Sequence, residues 1–240
     1  MRPGSQLPLT FTEDKTPELD LYVPGPNGEA YRYVKEILVA APSEPPPLYL
    51  WGASGTGKSH LLQAACKETW RQKKQAIYLP LGWANALAPS VLEGLEGLDL
   101  VCLDEMEHLA GREDWELALF HLFNRLREVG KPLALAGRTA PAAAGIQLPD
   151  LRSRLEGALV FHLQELDDAG KLQALRLRAE ARGFELPREV GEYLLRRLPR
   201  DMAALYALLN RLDQASLSLQ RRLTIPFVRE LLKSAWGSST

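Results

Sequence analysis

Cysteine is scarce in this sequence. There are two in 240 residues, Cys66 and Cys102. They fall in a helical and a strand pattern, and their spacing is of no metal-binding type. A disulfide scaffold is excluded, and both read as small core residues of a reduced, cytoplasmic protein. Long apolar runs are also missing. None approaches the roughly 20 residues that a membrane-spanning helix needs, and the N-terminus has no apolar signal core, so a soluble protein with no membrane partner is expected. Nor is there an excess of charge. Twenty-nine Lys and Arg stand against 30 Asp and Glu. Dedicated DNA-binding modules usually carry a basic stripe, so direct sequence-specific DNA binding is not expected.

What is present is enough apolar residue, 46% of the chain, to bury a full core. Gly52-Ala53-Ser54-Gly55-Thr56-Gly57-Lys58-Ser59 fits the phosphate-binding pattern G-x-x-x-x-G-K-[ST]. An apolar strand, Leu48-Tyr49-Leu50-Trp51, precedes it, and a helical pattern with Leu61, Leu62 and Ala65 on one face follows. Glycines let the backbone N–H groups wrap an anion, and the helix N-terminus adds a positive dipole end. Lys58 can reach terminal phosphates and the Ser59 hydroxyl can hold Mg²⁺. This stretch predicts binding of a nucleoside di- or triphosphate.

Residues 1–28 are broken by Pro3, Gly4, Pro8, Pro17, Pro24, Gly25, Pro26 and Gly28, so no long element can form there. Inside this tract Gln6-Leu7-Pro8-Leu9-Thr10-Phe11 is unusually apolar. Leu7, Leu9 and Phe11 either pack back as an edge strand or form an extended peptide that docks on a partner, with Gln6 as its polar anchor. A turn at Val23–Asn27 and a helix from Gly28 or Glu29 to Ala41 are expected next, ended by Pro42. Strands are then expected at Leu48–Trp51, Ala76–Leu79, Leu98–Leu103, Leu133–Ala136 and Leu159–Leu163. Helices alternate with them, the clearest over Glu113–Val129. Such nearly continuous apolar runs belong to a parallel sheet covered on both faces, hence an α/β three-layer domain. Beyond Glu165 only helical patterns remain: Asp167 or Asp168 to Arg182, Pro187 to Arg197, one from Asp201 and a short one after Pro226. The expected division is an extended peptide over 1–20, an α/β base over 21–165 and a small all-α lid over 166–240.

A phosphate loop needs an acidic residue at a neighbouring strand end. Leu100-Val101-Cys102-Leu103-Asp104-Glu105 supplies two, Asp104 for the Mg²⁺ shell and Glu105 to polarise a water. Arginines suit developing phosphoryl charge, and two stand out by position: Arg154 before the last strand, and Arg200 at the start of the third lid helix.

The phosphate loop, the Asp104-Glu105 pair, Leu151-Arg152-Ser153-Arg154-Leu155 and Arg200-Asp201-Met202 together resemble the AAA+ module of bacterial replication initiators. More closely, they resemble the Hda family of DnaA-related regulators, over nearly the whole chain. The resemblance implies an AAA+ P-loop domain with a mostly parallel five-stranded sheet and a helical lid. It implies nucleotide contacts from Gly52, Ser54, Gly55, Thr56, Gly57, Lys58 and Ser59, with Mg²⁺ held by Ser59 and Asp104. Arg154 is implied as an arginine finger offered in trans, Arg200 as a lid arginine that senses phosphates, and Tyr22 and Val23 as adenine-pocket residues. Gln6, Leu7, Leu9 and Phe11 are similar to the peptide that docks on the DNA polymerase beta sliding clamp, which favours docking over self-packing. No DNA-binding helix-turn-helix domain is expected after the lid. One departure stands out: in Ala134-Leu135-Ala136-Gly137-Arg138-Thr139, Gly137 falls where many AAA+ proteins carry a polar sensing residue, and Thr139 comes late. The implied function is negative regulation of replication initiation: an ADP-bound (or ATP-bound) protein on the clamp that promotes hydrolysis of ATP on DnaA. Self-association into a homo-oligomer is allowed. The alternative is a self-contained AAA+ ATPase such as a helicase loader, using Glu105.

Overall fold

The computed structural model describes residues 17–38, 45–197, 201–219 and 222–236. The docking peptide Gln6, Leu7, Leu9, Phe11 and the lid arginine Arg200 lie outside the described residues.

Five short apolar runs form one all-parallel sheet: β1 (Leu48–Trp51), β2 (Ala76–Pro80), β3 (Leu100–Asp104), β4 (Leu133–Gly137) and β5 (Leu159–His162), in the order β2-β3-β4-β1-β5. β1, β3 and β4 are central, and almost every residue in them is buried. That is why they read as unbroken apolar runs. The two-residue period of a strand divides their side chains between two cores. Leu48, Leu50, Cys102, Ala134 and Ala136 pack on α2 (Lys58–Arg71), whose Leu61, Leu62 and Ala65 face them. Tyr49, Leu103 and Leu135 pack on α3 (Glu113–Glu128), which contributes Trp115, Leu119, Leu122 and Leu126. Each such large side chain, once buried, stabilises the base by about 1.5–3 kcal/mol.

β3 begins two residues later than the apolar run suggests. Leu98 closes a turn over Leu95–Gly97, and the Asp99 carboxylate accepts from Lys131 Nζ at 2.8 Å and the Gln75 backbone N–H at 2.9 Å. The expected helix over 28–41 also differs. α1 (Gly28–Tyr33) passes into wider, π-helical turns over Val34–Leu38. The wider turn keeps Ala30, Val34 and Leu38 on one buried face. Residues 39–44 lie outside the described set.

α4 (Pro149–Glu156) is placed by a buried carboxylate. Glu116, 1% exposed, accepts from the backbone N–H groups of Gly111 at 2.8 Å, Gln147 at 2.9 Å and Leu148 at 2.7 Å. Leu148 is the residue before α4, so a side chain of α3 fixes where the Arg154-bearing helix starts.

The lid is α5 (Asp168–Glu180), α6 (Arg188–Arg197), α7 (Met202–Leu219) and α8 (Ile225–Trp236) around its own core of Leu175, Val190, Leu194, Leu205, Leu209 and Phe227. The segment before α1 straps lid and base together. Tyr22 belongs to the base core and Val23 to the lid core. Glu18 pairs with Lys67 at 2.6 Å and Arg71 at 3.1 Å on α2. The buried Asn27 side chain exchanges two hydrogen bonds with the backbone of Gln164, 2.9 and 2.8 Å, as a strand partner would. Among the described residues no helix is long and apolar enough to cross a membrane.

Candidate functional site

In a parallel sheet, loops at the carboxyl ends of the strands gather at one edge. Here that edge carries the phosphate loop after β1, Asp104-Glu105 after β3 and Gly137-Arg138 after β4. They line one cavity of about 350 Å³, whose other walls are Tyr22, Val23 and residues of α5 and α7.

The loop residues bend as an anion cradle requires. Gly55 and Gly57 have φ of +81° and +95°, where a side chain is strained. Each is also tightly approached: a Cβ on Gly55 would lie 2.9 Å from the Asp201 carboxylate, and one on Gly57 would lie 2.7 Å from the Tyr22 ring. Lid and strap therefore close directly on the loop. Ser54, Gly55, Thr56, Gly57, Lys58 and Ser59 all line the cavity, whereas Gly52 is not part of its wall. Lys58 Nζ donates to the carbonyls of Gly52 (2.7 Å) and Ala53 (2.8 Å). Burial lowers its pKa, opposed by the charges of Asp104 and Glu107.

Asp104, 2% exposed, accepts from the Tyr78 hydroxyl at 2.7 Å and from the Glu105 N–H at 2.8 Å. Ser59 and Gln63 lie against the same Tyr78 hydroxyl, whose pKa is raised by burial first and then by the Asp104 charge. Ser59 and Asp104 are thus brought to one place. Hydroxyl and carboxylate oxygens are the donor types Mg²⁺ takes, so these residues fit the ion.

Glu105 stands in the left-handed region at φ 62°, and its carboxylate accepts from the Gly82 N–H at 3.0 Å. It lines the cavity, yet its charge is engaged by the Leu81–Asn85 turn. Glu107 instead faces Arg138, with 2.8 Å between Nε and a carboxylate oxygen. Gly137 offers no side chain, and the place is filled from β1: the Tyr49 hydroxyl lies 2.8 Å from where a Cβ would be. That hydroxyl is buried with no hydrogen-bond partner among the described residues, and burial pushes its pKa up to about 12. Thr139 lies outside the cavity wall.

Tyr22 lines the cavity beside Val23. It stacks on Tyr31 at 5.6 Å and meets His60 edge-on at 5.4 Å. Its hydroxyl lies near Asn27, whose amide is committed to Gln164, and has no hydrogen-bond partner among the described residues. Burial pushes its pKa up to about 12. His60 Nε2 is 2.9 Å from the Glu18 carbonyl, which only accepts, so this nitrogen carries the proton. Burial holds the His60 pKa down at about 4.

Arg154 is not brought to this site. It lines a second cavity of about 380 Å³ with Pro45–Pro47, Arg127, Lys131 and Gly157. These residues precede β1, β4 and β5, so Arg154 sits at the opposite edge, about 15 Å away along strands of four to five residues. Tyr78, His60, Glu107, Arg138, Tyr49 and Arg178 were not singled out by sequence reasoning. Only Arg138 carried a usable signal, as the first polar residue after a central strand.

Comparisons with known proteins agree with this architecture. Residues 14–81 match the family model described as the bacterial DnaA ATPase domain, and residues 168–232 match the Hda lid domain. Domain III of the Thermotoga maritima replication initiation protein DnaA is 25% identical with a TM-score of 0.78, over 90% of this chain and 95% of that one. AMPPCP-bound DnaA from Aquifex aeolicus is 30% identical with a TM-score of 0.67, over 80% and 64%. The Thermotoga maritima RuvB Holliday junction branch migration motor shares the fold at 16% identity and a TM-score of 0.63, over 86% and 68%. With its parallel base, helical lid and the two family matches, the chain is a DnaA-related AAA+ replication protein carrying an Hda-type lid.

Proposed function

We propose that this protein binds ADP, docks on the DNA polymerase sliding clamp through Gln6, Leu7, Leu9 and Phe11, and stimulates hydrolysis of the ATP held by DnaA. It is thereby a negative regulator of replication initiation. The observation that carries this reading is the position of Arg154. A half-exposed arginine at the sheet edge opposite its own phosphate loop has no route to its own nucleotide, which supports a role at a site on another subunit. A cation delivered to a transferring phosphoryl group is worth roughly 10³–10⁵ in rate. Tethering on a clamp raises the effective concentration of one partner near the other.

Nucleotide binding in this reading rests on the glycine cradle, Lys58 and the Tyr22–Val23 wall, with Arg200 as the lid's phosphate sensor. Mg²⁺ would be held by Ser59 and Asp104 and would neutralise phosphate charge. DnaA from Aquifex aeolicus binds AMPPCP; for this chain the support is the cavity itself. The test is stimulation of DnaA ATP hydrolysis on clamp-loaded DNA. Arg154→Ala should abolish it, and Gln6→Ala with Leu7→Ala should abolish clamp co-elution while ADP binding persists. Full stimulation by the Arg154 variant would refute the finger. The competing reading, a self-contained ATPase, requires turnover by the isolated protein that Glu105→Gln removes. The Gly82 N–H bond to Glu105 and the glycine at 137 favour the first reading.

A further inference from the structure

The phosphate loop accounts for one end of the 350 Å³ cavity, and the other end holds a cation it does not explain. Arg178 of α5 lines the cavity half-buried, and its guanidinium carbon lies 4.4 Å from the centre of the Tyr206 ring on α7. Among the described residues it has no carboxylate partner. Arg182, one turn along, is supplied by Asp213 at 3.7 Å and by Asn210. A guanidinium half-removed from water without a counter-ion is costly unless a π face or a ligand offsets the loss. Tyr206 covers one side of it.

The cavity is divided by charge. Lys58 feels Asp104, Glu107 and Arg138, the polar end. Arg178 instead acts on His60 and Tyr206, and the same cavity has aromatic and apolar walls from Tyr22, Val23, Leu166 and Ala174. Tyr22 adds a second unmet polar group there, its buried hydroxyl. A flat heteroaromatic ring with nitrogen acceptors satisfies all of these at once: apolar faces for the walls, acceptors for a guanidinium and a phenol. We propose that Arg178, braced by Tyr206, is the lid's contact to the base of a bound purine nucleotide, with the Tyr22 hydroxyl as a second polar contact from the strap. The proposal rests on the nucleotide reading above and adds what recognises the base. It makes lid and strap sense the base while the loop senses the phosphates.

The experiment compares ADP with inorganic pyrophosphate, which has phosphates and no base, by calorimetric titration of the full chain. Arg178→Met keeps the length of the side chain and removes its charge. A charge-assisted or cation–π contact to the base predicts roughly tenfold weaker ADP binding. Pyrophosphate affinity should stay within about twofold of wild type, which also shows that the loop is folded. Unchanged ADP affinity overturns the proposal. Equal weakening for ADP and pyrophosphate also overturns it, because Arg178 would then be a phosphate cation. Wild-type protein that bound neither compound would refute the nucleotide reading itself, and this proposal with it.

Discussion

His60 is buried beside the phosphate loop as a neutral ring, its folded pKa held at about 4 against an ordinary 6.5. The unfolded chain therefore takes up a proton near pH 6.5 that the folded chain refuses. Stability from this residue is fully present above pH 6.5 and falls as pH drops toward 4, by about 2–3 kcal/mol at the lower end. His60→Gln, which keeps a donor for the Glu18 carbonyl, should flatten the dependence of melting temperature on pH in that window. An unaltered slope would place the titration elsewhere. Tyr49 and Gly137 form a second residue-scale pair. Gly137→Ala brings a methyl to within 2.8 Å of the Tyr49 hydroxyl and 3.3 Å of the Met106 Cβ, at a cost of about 1–3 kcal/mol. Tyr49→Phe removes a buried hydroxyl without a described partner, so it should be neutral or stabilising by about 1 kcal/mol. In the Tyr49→Phe background the alanine should cost less, and denaturant titrations of the four proteins measure the difference.

At the scale of elements, α4 depends on Glu116. Glu116→Ala leaves three backbone N–H groups without their acceptor and should cost about 3 kcal/mol or more by denaturant titration. If the proposed role of Arg154 holds, Glu116→Ala should also weaken stimulation of DnaA in proportion to the misplacement of Arg154, while ADP affinity stays near wild type. Loss of ADP binding at equal measure would show that the damage is not confined to α4. Glu116 also marks where sequence reasoning ended. The five strands, α2, α3 and the lid helices were legible because apolar runs and 3.6-residue periods are local patterns. The phosphate loop and Asp104 were legible because their chemistry prescribes residue types in a short spacing. Glu116 sits in the acidic first turn of α3 among Glu113 and Asp114, and nothing local marks it as the one that turns inward to bonds 31 and 32 residues away. The same holds for Tyr78 against Asp104 and Tyr49 against Gly137, which meet only through strand order. The helix expected from Gly28 is present through Leu38, but its change to wider turns over Val34–Leu38 was not legible, because packing on the base core rather than a local pattern sets it.

For the whole molecule, base and lid have separate cores joined at the nucleotide cavity by Tyr22, Val23 and Gly55 against Asp201. A ligand bound there touches both, so ADP at about 100 times its Kd should add about 2.7 kcal/mol and raise one common melting transition. Lys58→Ala should lose most of this gain, and a calorimetric scan with two peaks, of which ADP moves only one, would show that the ligand does not couple them. The two cysteines give a second handle. Cys66 on α2 and Cys102 on β3 lie fully buried side by side between helix and sheet, where burial and the neighbouring thiol raise the Cys102 pKa well above its ordinary value. A thiol reagent can reach them only through excursions that part helix from sheet. The lid contains no cysteine. The labelling rate therefore clocks openings of the base alone, and protection by ADP measures how firmly the nucleotide keeps that half shut.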